Sequence, residues 1–246
     1  MEQTANSQTR SGDPGRVCSF RANLLTRAFD YPYNAPSTPL HFHQGRAGPL
    51  TARGVRVSGR LVAVQGVGLC APVLAVGSNA AVSVLRRKFG VRPVDIIQGR
   101  VRLSGHDKVH SAHIARYGAM PATLIKRPGA NTRAHLQLVP VQHIEALDAT
   151  EAVGTNYDRV WLEQRIEVPW LGRRLEGVWT YRSRHGAAMR DREVMALGSQ
   201  KHALAHAAEC AGWQLELDAF VYLMVRDVGF RGAVTQALKN EQTSVS

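Results

Sequence analysis

The run Pro72-Val73-Leu74-Ala75-Val76-Gly77-Ser78-Asn79 decides how the rest of this chain is read. Its first five residues form a short apolar strand, and the change to small polar residues at Gly77 ends it. A helix is expected next: Ala81, Val84, Leu85 and Lys88-Phe89 recur at helical spacing, and Gly90 closes it. A strand that turns into a helix leaves the backbone N–H groups of Gly77, Ser78 and Asn79 around one concavity, which suits an anionic group. Gly77 lets a ligand meet the backbone, and the Ser78 and Asn79 side chains add polar contacts. The competing reading is that Ser78 or Asn79 only caps the helix.

Towards the N-terminus, Val55, Val57, Leu61 and Val64 suggest strands interrupted at Gly54 and Gly59. The segment from Tyr31 to Pro39 contains Pro32, Pro36 and Pro39 and is expected to be extended. Towards the C-terminus, Val94–Val101 and Ala122–Ile125 read as strands, the second ending at a Pro128-Gly129 turn. Ala134 to Val139 alternates like a half-buried strand, and Pro140 introduces a helix carrying Ile144, Leu147 and Glu151. Tyr157 to Val168 is expected to pair with Gly177 to Tyr181. From Arg190 to Cys210 the pattern is helical, and a last helical stretch from Leu215 to Leu238 breaks near Gly229 and Gly232. The expected organisation is a disordered tail over 1–17, a β-rich core over 18–182 and a helical C-terminal extension over 183–246.

The composition excludes several classes. With 246 residues and 44% hydrophobic side chains, the chain can bury one large core with an appendage. No run of 18 apolar residues occurs, which excludes a transmembrane helix, and Glu2 and Asp13 among the first residues argue against a signal peptide. Three distant cysteines, Cys18, Cys70 and Cys210, exclude a disulfide framework, so a cytoplasmic protein with reduced thiols is expected. The 31 Lys plus Arg against 19 Asp plus Glu give a net charge of +12. These basic residues are spread from Arg10 to Lys239 rather than gathered in one block, so nucleic acid is not the expected partner.

Gly66-Val67-Gly68-Leu69-Cys70-Ala71 matches a loose dinucleotide fingerprint, but Pro72 and the β-type residues after it exclude the helix that motif needs, and a β-turn is expected. His202, His206 and Glu209 share a helical face, while Cys210 is expected to point elsewhere and no HExxH occurs, so no metal site is expected. His106, His110, His113 and Tyr117 form the densest ionisable segment. If the segment makes a helical turn, His110 and His113 lie on one side, and Asp107 or Glu151 nearby would raise an imidazole pKa. The bland alternative is a solvated loop.

Three pieces recur in a telling order: the strand into Val76-Gly77-Ser78-Asn79, the strand Pro121 to Gly129, and Ile144-Glu145-Ala146-Leu147-Asp148-Ala149-Thr150-Glu151-Ala152 ahead of Tyr157. This order, over about residues 73–168, resembles the gamma-glutamylcyclotransferase-like family. The resemblance implies an α+β fold, a small mixed β-barrel with flanking helices, and a pocket between Gly77–Asn79, the Pro128-Gly129 turn and segment 107–118. It implies that the loop holds the α-carboxylate and amine end of a γ-glutamyl group, with Gly77, Ser78, Asn79 and Asn131 as substrate-binding residues. Two positions depart from the family pattern: Val76 stands at its loop Tyr, and Asn131 at its catalytic Glu. Asn cannot relay a proton, which leaves His110, His113, Tyr117 and Glu151 as the catalytic candidates. The expected function is therefore gamma-glutamylcyclotransferase-like action on a small amino-acid-like amide or amine, with altered acyl-transfer, cyclisation or lyase-type chemistry and no cofactor. The alternatives are a non-catalytic small-molecule-binding or interaction protein on the same scaffold, and a basic nucleic-acid-binding protein.

Overall fold

The computed structural model describes residues 14–51 and 53–243, with side chains from 22 to 242. The tail expected over 1–17 lies outside the described residues up to 13, and 14–17 fall in the first helix, α1 (Pro14–Phe29). The chain continues through β1 (Leu40–His43), β2 (Arg46–Pro49), β3 (Val55–Ser58), β4 (Leu61–Val64) and β5 (Gly68–Ala75). After α2 (Val82–Phe89) come β6 (Asp95–His110), β7 (Ala122–Pro140) and α3 (Ile144–Glu151). Then follow β8 (Tyr157–Leu162), β9 (Ile166–Val168), β10 (Arg173–Leu175), β11 (Val178–Ser183), β12 (Met189–Arg190) and β13 (Glu193–Val194). Three helices end the chain: α4 (Gln200–Cys210), α5 (Leu217–Arg226) and α6 (Val228–Thr243).

Nine strands form one mixed sheet in the order β2-β1-β6-β7-β5-β11-β8, with β3 and β4 branching from β5. The architecture is α+β, but the small barrel expected from the family resemblance is not present: the sheet is open. Its terminal strands β2 and β8 do not pair, and β2 is exposed along its whole length, with Gly48 and Pro49 in its four residues. The sheet forks instead of closing, because β5 gives its first residues to β4 and its later residues, Val73 and Leu74, to a parallel pairing with β11.

Alternation along the strands sorts side chains into two cores. One face, with Phe42, Val73, Ile96 and Val139, packs under Leu85 and Phe89 of α2 and Leu147 of α3. The other, with Leu74, Ile97, Leu136 and Leu138, is closed by Ile166, Val168 and Leu175 of the β9–β10 hairpin. A third cluster is helical: Ala28 of α1 joins Leu204 of α4, Phe220 and Met224 of α5 and Leu238 of α6 around Met120. Helix α1 thus belongs to the same layer as the C-terminal helices.

Several expected boundaries shift. The Gly66–Ala71 run is, as expected, a turn into β5, and no helix begins there. The final helical stretch breaks at Asp227, just before Gly229 and with its carboxylate accepting from Phe230 N, and then runs on through Gly232 without a second break. The expected Pro128-Gly129 chain reversal does not end a strand: β7 runs from 122 to 140, and its pairing with β6 is broken between Ser104/Asn131 and His106/Lys126. Residues 127–130 stand opposite Gly105 without ladder partners. Pro128 has no N–H to give, and Gly129 has a φ of +81°, so the segment bulges outward.

Phe220 is fully buried, with ring contacts to Trp213 and Phe230 at 5.7 Å each. Phe220→Ala should cost about 3–5 kcal/mol of stability, read as a fall in melting temperature of about 2–4 °C per kcal/mol by scanning calorimetry.

Candidate functional site

A cavity of about 700 Å³ opens between the Gly77–Asn79 loop, the end of α1, the segment 113–122, the end of α3 and Tyr157. Val76 is buried at the end of β5, and Ser78–Ala80 make one turn of 3₁₀ helix before α2. Two buried glutamines from neighbouring positions of β6 and β7 hold that turn. Gln98 Nε2 donates to Ala80 O at 2.8 Å, while Gln137 Nε2 reaches Asn79 O at 2.9 Å and Gln98 Oε1 at 2.7 Å. Neither Ser78 nor Asn79 makes a side-chain capping bond, so the capping alternative is not what the loop does.

The role expected for Gly77 needs correction. The space beside its backbone belongs to Tyr31, since a Cβ there would lie 2.2 Å from the Tyr31 hydroxyl oxygen. That hydroxyl accepts from Ala122 N at 2.7 Å, and Tyr157 donates its own hydroxyl to Ala122 O at 3.1 Å. Burial pushes the Tyr31 phenol up, and both Tyr117 and Tyr157 well up, so all three stay protonated at neutral pH.

Glu151 is the one carboxylate among the described residues that line the cavity. Asn79 Nδ2 donates to Glu151 Oε1 at 2.9 Å, Lys88 Nζ donates to Asn79 Oδ1 at 2.8 Å, and Lys88 also forms an ion pair with Glu151. Lys88, Asn79 and Glu151 therefore make a closed triangle: the amide bridges the charges, and the carboxylate is neutralised in place. A lone Lys88 on the apolar face defined by Val84 and Leu85 was the sequence's hint that a buried acid would meet it.

Segment 106–117 forms no helical turn. His106 and His110 lie in β6, and the chain then crosses as a loop to β7. His113 lines the cavity, but burial pushes its pKa down to about 3, opposite to the expected rise. Its Nδ1 is 2.7 Å from Ser111 Oγ, which also contacts Ser183 Oγ at 2.6 Å, and its ring stacks on His185 at 4.3 Å. Asp107 is engaged with Arg127 at 2.9 Å and gives His113 no support. His110 is buried away from the cavity, with Nδ1 3.2 Å from Met120 O and Nε2 accepting from Gly198 N. Tyr117 lines the cavity and stacks on Tyr31 at 6.2 Å. Asn131 does not reach it: the residue is exposed next to the β7 bulge, because the Pro128-Gly129 segment turns outward. Gly77, Ser78, Asn79, His113, Tyr117 and Glu151 therefore meet, whereas His110 and Asn131 lie elsewhere.

Sequence reasoning missed Tyr31, Gln98, Gln137 and the basic wall of Arg27, Arg87, Lys88, Arg92 and Arg116. Two clusters of His, Cys and carboxylate side chains lie outside the cavity among the described residues. His41 and His43 share Asp95 Oδ1 at 2.6 and 2.9 Å, with Arg53 against His41 at 3.3 Å. On α4, Cys210 does not point away: one turn after His206, its Sγ is 3.4 Å from His206 Nε2 and donates to Glu241 at 3.3 Å. Burial and that carboxylate push the thiol up to about 12. His202 is exposed and takes no part.

Gly77→Ala should clash with the Tyr31 hydroxyl and cost about 1–3 kcal/mol, read by denaturant melts; unchanged stability would remove Tyr31 from its place against the loop. His113 titrates near 3 when folded and near 6.5 when unfolded, so the unfolded chain binds the extra proton between these values. Stability should therefore fall as pH drops from about 6.5 towards 3, and His113→Gln should flatten that fall in pH-dependent melts.

No protein-family model matches this chain, and no curated protein matches it. Solved structures similar to it include a gamma-glutamyl cyclotransferase, at 15% identity over 61% of this chain and 85% of that one, with a TM-score of 0.38. A solution structure of an Arabidopsis thaliana protein is similar at 16% identity over 56% and 83% of the two chains, with a TM-score of 0.37. A Bacillus subtilis protein is similar at 14% identity over 63% and 55%, with a TM-score of 0.35.

Proposed function

We propose that the cavity is a gamma-glutamylcyclotransferase-like small-molecule site that binds the amide or amine end of an amino-acid-like ligand and has lost the standard cyclotransfer chemistry. The observation that carries this reading is convergence. The three sequence pieces that resemble the family are far apart in the chain, yet Gly77–Asn79, Pro121–Ala122 and the Ala146–Ala152 segment with Tyr157 all line one cavity. A chance resemblance in scattered turns would have no reason to meet around one space.

The loss of standard chemistry follows from where the proton-carrying groups stand. Cyclotransfer needs a group that takes a proton from the attacking amine and returns one to the leaving amine. Asn131 is exposed outside the cavity, and Glu151 is held by Lys88 and Asn79. One observation favours a second reading: His113 is in the cavity wall, neutral at pH 7 and oriented by Ser111, so it offers an imidazole to an incoming proton. Its depressed pKa makes it a weak base.

The two readings separate in one assay. Purified protein incubated with γ-glutamyl amino acids should release no pyroglutamate above the uncatalysed rate, while calorimetry with the same compounds shows saturable binding. Pyroglutamate release that vanishes in His113→Gln would establish the second reading, and absence of any saturable binding would overturn both.

A further inference from the structure

The cavity holds more positive charge than its one carboxylate can answer. Five basic residues line it, and the Lys88 charge is already balanced by Glu151. Arg27, Arg87, Arg92 and Arg116 have no carboxylate partner among the described residues. Two of these guanidiniums lie over rings of one tyrosine cluster. Arg27 Cζ lies 4.9 Å from the Tyr117 ring centroid, and Arg87 Cζ lies 5.4 Å from that of Tyr33. Tyr31 sits between the two rings, 6.0 Å from Tyr33 and 6.2 Å from Tyr117. Burial pushes the Tyr33 phenol up, and the nearby positive charges of Arg87 and Arg27 pull it down.

Two like charges gathered around one cluster of tyrosines repel each other, and aromatic faces offset only part of that repulsion. Arg27 Nε is, in addition, buried with no hydrogen-bond partner among the described residues. Tyr33 holds a φ of +67°, an unfavourable backbone for an aromatic residue, and its hydroxyl is fixed by donation to Arg27 O at 2.8 Å. A strained segment beside guanidiniums that line one cavity without carboxylate partners, together with an orphan donor, is arranged for a group that brings several acceptor oxygens and more than one negative charge. A carboxylate fills one guanidinium fork with its two oxygens, whereas a phosphate monoester offers three oxygens to two forks.

We propose that the ligand of this cavity carries a phosphate-type dianionic group, held between Arg27 and Arg87 at the end of α1, with Arg92 and Arg116 adding field. The proposal rests on the cavity being a small-molecule site and deepens it by naming the second recognised group. The amino-acid-like end would face the Gly77–Asn79 loop, and the phosphate would face the tyrosine-backed guanidiniums.

The test uses the full chain and three probes in calorimetry: inorganic phosphate, O-phospho-L-serine and succinate. Both phosphate probes should bind saturably, more weakly as salt rises, and succinate should bind less tightly than either. Arg87→Gln and Arg27→Gln should each weaken phosphate binding by about tenfold or more. Arg27→Lys, which keeps the charge without the fork, should also weaken binding, and thermal melts unchanged from wild type in all three variants separate this loss from misfolding. Absence of phosphate binding by the wild type, or affinity unchanged in Arg87→Gln, overturns the proposal. Tighter binding of O-phospho-L-serine than of free phosphate assigns the group to a monoester, and the reverse order assigns it to the free ion. If γ-glutamyl compounds bind and neither phosphate probe does, this proposal fails alone. If phosphate binds through the arginines and no γ-glutamyl compound binds, the amino-acid reading of the loop fails alone.

Discussion

The amide pair formed by Gln98 and Gln137 is the contact on which the site depends. Both side chains are buried on adjacent strands, and together they use the carbonyls of Asn79 and Ala80 as acceptors. Without them, the first turn after β5 would bury backbone carbonyls with no donor, at about 1–3 kcal/mol for each group. With them, the turn is fixed to the two longest strands of the sheet, β6 and β7. The position of Asn79 then sets that of Glu151, and Glu151 sets that of Lys88. The polar wall of the cavity is thus an extension of sheet hydrogen bonding rather than a flexible loop laid over it.

Electrostatically the cavity has two halves. Around Asn79 the charges cancel, because a lysine and a carboxylate with little solvent access are bridged by an amide that satisfies both. Around the tyrosines they do not cancel, and guanidiniums from α1, α2 and the loops after α2 and β6 gather on one side. The dispersed positive charge of the sequence concealed this. Arg27, Arg87 and Arg116 are far apart in the chain, and only the fold brings them to one opening.

What could be read from the sequence was what depends on local pattern. The β5–loop–α2 unit follows from an apolar run, two small polar residues and a glycine closure, and the structure places α2 and its Gly90 closure where the spacing put them. The third motif folds as α3 and leads to Tyr157 as expected. What failed depended on register and burial. Nothing local distinguishes Pro128-Gly129 as a chain reversal from an outward bulge within one long strand, because that is decided by which β6 residues stand opposite. The same limit misplaced Asn131. His113 was found by its residue type, but its pKa direction was misjudged, because burial outweighed any carboxylate the sequence could suggest. Tyr31 lay in a proline-rich stretch read only as extended, and its role exists only through contacts with residues 77 and 122.

Ala122 has both backbone polar groups taken by phenols, its N–H by Tyr31 from the end of α1 and its carbonyl by Tyr157 from β8. The first strand residue after the cavity loop is therefore clasped by segments from opposite ends of the sheet region. Its amide proton is donated to the Tyr31 hydroxyl, so exchange requires that this contact open. The hydrogen-exchange rate of this one amide consequently reports how often the helical layer lifts from the sheet, independently of the global unfolding that exposes the core strands.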